Sequence, residues 1–105
     1  MLTKQTAIAT AKKFLKECRK LPIQIDRAIL FGSTVQGKAH KDSDIDLALF
    51  SENFSDNILR NIDLIGKVNI RYPEIDVHTF NTSAQKKQNG ILLEQIFKTG
   101  VEIGN

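Results

Sequence analysis

The stretch from Ile29 to Phe50, ILFGSTVQGKAHKDSDIDLALF, constrains the fold more than any other part of the chain. It opens as a short apolar strand, breaks at Gly32-Ser33, crosses a polar loop of ten residues and enters a second apolar strand through Asp44 and Asp46. Alternation after Ser43 puts Ile45, Leu47 and Leu49 on one strand face and forces Asp44 and Asp46 together onto the other. At the rise of a strand, the two carboxylates stand about 6–7 Å apart. Like charges so close raise each other's proton affinity, and a divalent cation relieves the repulsion. Hard carboxylate oxygens with few other protein ligands suit Mg²⁺, whose remaining positions go to water and phosphate oxygens. Gly32-Ser33 supplies the complement, because a turn leaving a strand presents free backbone N–H groups where a phosphate binds.

A calcium-loop reading of Asp42-x-Asp44-x-Asp46 fails on its own template. The sixth position should be glycine and is Leu47, the twelfth should be Glu and is Asn53, and the alternation through Phe50 is that of a strand.

The flanking sequence supplies helices and further strands. Residues 3–20 read as an amphipathic helix with Ile8, Ala11, Leu15 and Cys18 inward, Thr3 as N-cap and Pro22 as stop. Residues 25–31 form the first strand, and Gly32-Ser33 opens a short helix through Gln36 that Gly37 ends. Ser55 or Asp56 caps a helix with Ile58, Leu59, Ile62 and Ile65 inward, running to about Tyr72 before Pro73. Glu74 to Phe80 alternates again, with Ile75 and Val77 on one side and Glu74, Asp76 and His78 on the other. Thr82 or Ser83 caps a short turn. Leu92, Leu93, Ile96 and Phe97 face inward on a last helix ending at Gly100, and Val101 to Ile103 adds an edge strand.

The spacing Gly32-Ser33, ten residues, Asp44-x-Asp46, with Gly37 and Ser43 between, resembles the signature of the minimal nucleotidyltransferases of the DNA polymerase beta superfamily. The resemblance covers nearly the whole chain. It implies one domain over residues 1–105 with an α/β two-layer fold, a mixed sheet of three to four strands with helices packed against it. It implies ATP as substrate, two Mg²⁺ ions, and Asp44, Asp46 and Asp76 as the catalytic, metal-holding carboxylates. Glu74 lies on the same strand face as Asp76 and is its only rival, and His78 reads as a structural or rim residue. Gly32 and Ser33 would hold the phosphates, with Lys38 and Ser43 as further nucleotide-binding candidates. Many relatives carry an arginine before the second glycine where this chain has Gln36, so a loop lysine such as Lys38 becomes the candidate cation, acting as a mobile point charge. His40 and Lys41 share that loop.

Stand-alone members of this kind are similar to MntA-type antitoxins, which pair with HEPN-domain toxins. That likeness implies transfer of AMP from ATP to a hydroxyl on a partner protein. The alternatives are a noncatalytic antitoxin that acts by occlusion, or transfer to a small-molecule hydroxyl such as that of an antibiotic.

Charge and composition narrow the partners. The net charge is +3, with Lys12, Lys13, Lys16, Arg19 and Lys20 crowded on the first helix, while the six Phe and one Tyr fall mostly at core-like positions. A nucleic-acid surface would interleave aromatics with the basic stripe, so the reading is a solvated face that meets an acidic partner. No apolar run suits a membrane span, and MLTKQTAIATAKK lacks the core of a secretory signal. Cys18 is the one cysteine, a core thiol suited to a reducing cytoplasm. Dimerisation would be one way for so short a chain to complete a pocket.

Overall fold

Among the described residues three helices and four strands follow one another as α1 (Lys4–Cys18), β1 (Arg27–Phe31), β2 (Ile45–Phe50), α2 (Ile58–Asn69), β3 (Ile75–Phe80), α3 (Ile91–Thr99) and β4 (Val101–Glu102). The computed structural model describes residues 3–37, 44–84 and 90–104. The strands form one mixed sheet in the order β3-β2-β1-β4, in which β2 is antiparallel to β1 and parallel to β3. This is the helix-covered mixed sheet expected from the sequence.

Side-chain alternation divides the core between the two sheet faces. Ala28 and Leu30 of β1, Ile45, Leu47 and Leu49 of β2 and Ile75 of β3 meet α1 and α2 on one face. Ile29, Phe31, Ala48 and Phe50 point the other way, onto Leu93 and Ile96 of α3. Helix α1 begins where predicted, since Thr3 and Thr6 form a reciprocal capping box. Its buried stripe is Ala7, Ala11, Phe14, Leu15 and Cys18, and Phe14 meets Tyr72 edge to face at 5.5 Å. Burial pushes the Cys18 thiol up to about 12, aided by the nearby Glu17 carboxylate, so it stays protonated and inert in the core.

The second helix differs from expectation. Its N-cap is Asn57, whose side chain accepts the Arg60 N–H, and it ends at Asn69. The inward stripe is Asn61, Ile65 and Val68, while Ile58, Leu59 and Ile62 are 67%, 75% and 52% exposed. Asn61 can occupy the core because its amide is satisfied: Nδ2 donates to the Ser55 carbonyl at 2.8 Å and Thr79 Oγ1 at 3.0 Å, and Oδ1 accepts from the Ser55 N–H at 2.9 Å. In α3, Leu93 and Ile96 are buried, whereas Leu92 and Phe97 are exposed at the rim. The turn after β3 is capped by Asn81, which accepts the Ala84 N–H, in place of Thr82 or Ser83.

Strand β4 is held by more than its two residues. Arg27 donates to both carboxylate oxygens of Glu102, at 2.9 and 2.8 Å, and its guanidinium lies 5.2 Å from the centre of the Phe97 ring. Ile103 is buried, and its N–H donates to the Ala28 carbonyl. Among the described residues, no helix is long and apolar enough to cross a membrane.

Candidate active site

The register of the sheet brings the acidic positions together. Phe31 of β1 is opposite Asp46 of β2, and Asp46 is opposite Asp76 of β3, so one row crosses three strands. In the next row along the same face, Ile29 is opposite Ala48 and Ala48 is opposite His78. Ala48 is the smallest side chain on this face, and above it the His78 ring reaches Phe31, edge to face at 5.1 Å. His78 Nε2 thereby lies 3.5 Å from Asp46 Oδ1 and 3.4 Å from Asp76 Oδ2. One ligand atom from each of Asp46, Asp76 and His78 lies within 4.8 Å of the others.

The two carboxylates occupy different surroundings. Asp46 is half-buried beside Phe31, whereas Asp76 is exposed on the edge strand. Burial pushes the Asp46 carboxyl above its usual range, the neighbouring His78 imidazole draws it back down, and the Asp76 and Asp44 carboxylates push it up again. Asp44 stands exposed, one residue before β2. Glu74, the rival to Asp76, lies outside β3 and is not part of this cluster.

Gly32 lies directly against Asp46. Its φ is +85°, in the left-handed region that favours glycine, and a Cβ there would collide with the Asp46 carboxylate. The glycine therefore lets β1 turn away from the sheet and leaves room for the carboxylate above it. Beyond it the backbone makes a single turn in place of the expected short helix, the N–H groups of Val35 and Gln36 both donating to the Gly32 carbonyl at 3.1 Å. Ser33 is half-buried in this turn, and Gly37 closes it with φ +73°. Thr34 is buried, and its hydroxyl finds no partner among the described residues. Lys38, His40, Lys41 and Ser43 lie outside the described residues.

The donor set, carboxylate oxygens with one imidazole nitrogen, fits a divalent cation. Two carboxylates face each other across adjacent strands with Asp44 nearby, and His78 Nε2 is a buried nitrogen without a hydrogen-bond partner among the described residues. His78, which from sequence alone reads as a structural or rim residue, is thus a member of this group. Its alternation with Asp76 was visible, but its approach to Asp46 depends on the β2–β3 register and on the small Ala48.

Residues 11–98 match the family model of the nucleotidyltransferase domain. Among solved structures, the chain is similar to a protein from Sulfolobus solfataricus put forward as a nucleotidyltransferase, at 18% identity and a TM-score of 0.68 over 94% of this chain and 80% of that one. It is also similar to a toxin–antitoxin crystallised with AMP-PNP, at 23% identity and a TM-score of 0.62 over 90% of this chain and 73% of that one. A third likeness is to the complex of a tri-AMPylated Shewanella oneidensis HEPN toxin with an MNT antitoxin, at 21% identity and a TM-score of 0.57 over 98% and 73% of the two chains. At these identities the likeness is one of fold. No curated protein matches the chain.

Proposed function

This chain belongs to the nucleotidyltransferase domain family, and from that premise we propose that it moves AMP from ATP to a hydroxyl of a partner protein, as the antitoxin of a HEPN-toxin pair. The observation that carries the reading is the row in which Asp46 faces Asp76 across β2 and β3 with Gly32 beneath Asp46. Asp44, Asp46 and Asp76 would hold Mg²⁺, which when bound neutralises the triphosphate and stabilises the attacking and leaving oxygens of an in-line displacement.

The protein's own groups do the rest by placement. The Gly32-Ser33 turn offers its backbone N–H groups to the β and γ phosphates, with Lys38 and Ser43 as further contacts in the same connection. Asp46, fixed between Gly32 and Phe31, sets the position of the triphosphate. Asp76, on the open edge of the sheet, meets the acceptor and takes the proton of its hydroxyl. That oxygen bonds to the α-phosphorus as the α–β phosphoanhydride bond breaks and pyrophosphate departs.

A macromolecular acceptor is supported by the surface beside His78. Ile58 and Ile62 of α2, Leu92 of α3 and Phe80 of β3 line an open groove of about 300 Å³ that His78 also borders. Exposed apolar side chains grouped beside a reaction centre mark a protein contact more readily than a small polar substrate. A reducing cytoplasm suits the free, buried Cys18.

The test is the intact mass of a cognate HEPN-domain partner co-expressed with this chain. The expected result is a gain of one or more AMP masses that disappears with Asp46→Asn. A partner that stays bound but unlabelled in the presence of Mg²⁺ and ATP would sink the transferase reading in favour of an antitoxin acting by occlusion.

A further inference from the structure

His78 Nε2 stands between two carboxylates at ion-pair distance, beyond good hydrogen-bond length from either. A single nitrogen, Nε2, faces two carboxylate oxygens at 3.4 and 3.5 Å, and it is buried without a hydrogen-bond partner among the described residues. One N–H serves one acceptor well, at about 2.7–3.2 Å, and both separations lie beyond that range. Two ligands of a common cation, each about 2.1 Å from it, stand about 3.0 Å apart at octahedral angles and about 3.4 Å apart at tetrahedral ones. The observed separations exceed the octahedral spacing by a few tenths of an ångström, which small side-chain rotations would close around one ion. The Phe31 ring packed against the imidazole and the small Ala48 beneath hold the nitrogen there.

We propose that His78 is a nitrogen ligand to the same cation as Asp46 and Asp76, and that it gives the site a preference for Mn²⁺ over Mg²⁺. Imidazole adds affinity for transition ions, whereas Mg²⁺ gains little from exchanging water oxygen for nitrogen. The inference rests on Asp46 and Asp76 being metal ligands, as in the reading above, and it needs neither an acceptor nor turnover.

Electron spin-echo spectroscopy of the untagged full chain, loaded with Mn²⁺ and inorganic tripolyphosphate as a nitrogen-free stand-in for the nucleotide tail, reads the contact directly. The chain has two histidines, so ¹⁴N modulation is expected in the wild type and in His40→Ala and lost in His78→Ala. Mn²⁺ affinity should fall at least about tenfold in His78→Ala, with Mg²⁺ affinity much less changed. If His78→Ala does not fold, ¹⁵N-labelled histidine in the wild-type and His40→Ala chains decides the question, because the modulation must change isotope in both. A chain that takes up no Mn²⁺, a wild-type signal without histidine nitrogen, a signal that survives His78→Ala, or equal affinity for the two ions each overturns the proposal. Nitrogen coupling without any AMP transfer would leave it standing and remove the transferase reading alone.

Discussion

Gly32→Ala and Gly37→Ala form a matched pair that separates backbone strain from site geometry. Both glycines have positive φ, +85° and +73°. An L-residue in that region costs about 1–2 kcal/mol, and the stiffer unfolded chain offsets a few tenths to 1 kcal/mol of the effect in the opposite sense, leaving a net loss of about 1 kcal/mol in each variant. Their surroundings differ. Among the described residues a Cβ at Gly37 meets nothing within 4 Å, whereas at Gly32 it runs into the Asp46 carboxylate and approaches Asp46 Cγ at 3.2 Å. The obstructing atoms are the far end of a side chain that can rotate, so the collision displaces Asp46 at little additional cost in stability. Metal binding should carry the difference. Urea unfolding of the metal-free variants should show similar small losses, while Mn²⁺ titration in the presence of tripolyphosphate should show at least about a tenfold weaker site in Gly32→Ala alone. If Gly32→Ala binds Mn²⁺ as tightly as the wild type, or Gly37→Ala loses as much, Gly32 is not what seats Asp46.

Asn61→Ala should cost about 2–3 kcal/mol in urea unfolding, because it strands the Ser55 N–H and carbonyl and the Thr79 hydroxyl against an apolar core. Asp46 has a raised folded pKa, so its contribution to stability falls as pH rises from the ordinary aspartate value through the folded one. Asp46→Asn should flatten that fall in metal-free protein, and unfolding curves across pH check it. Glu102 has the opposite sign: hydrogen bonds from Arg27 lower its pKa, so its contribution is present above the ordinary glutamate value and lost as pH falls through the folded one. Glu102→Gln should remove that acid-side loss, with a small effect at neutral pH because the pair is solvent-exposed.

The strands and the acidic face were legible in the sequence because strand alternation has a period of two, and a polar residue among alternating apolar ones declares its side. Asp46, Asp76 and His78 all follow this rule. The inner face of α2 was not legible, because its apolar residues wrap most of the way around the helix. Ile58, Leu59 and Ile62 offered one plausible stripe, and the buried one runs through Asn61. A polar residue takes that core position only because Ser55 and Thr79 satisfy it, and contacts 6 and 18 residues away cannot be read from local periodicity. The same limit hid His78. Its strand face follows from the chain, but its neighbours follow from a parallel register that no local signal specifies.

The site's asymmetry follows from how α3 covers its sheet face. Toward the end of β2 the face is aromatic, with the buried Phe50 stacked on Phe80 at 5.2 Å and on Phe97 at 5.5 Å. Toward the start of β2 and β3 the Asp46–Asp76 row is open, and the Ala48–His78 row is the boundary between the two ends. A carboxylate half-buried against Gly32 and Phe31 loses hydration, which is why Asp46 resists ionising alone and calls for a counter-charge. A carboxylate on the edge strand keeps its water and remains open to an incoming group, as Asp76 does. Two chemically identical side chains in one register row are thereby made unequal, the inner one set against Gly32 and Phe31 and the outer one exposed on the edge strand. In the transfer proposed above, that inequality would set a fixed donor side against an open acceptor side, and it comes from the sheet order, which makes β2 an inner strand and β3 an edge.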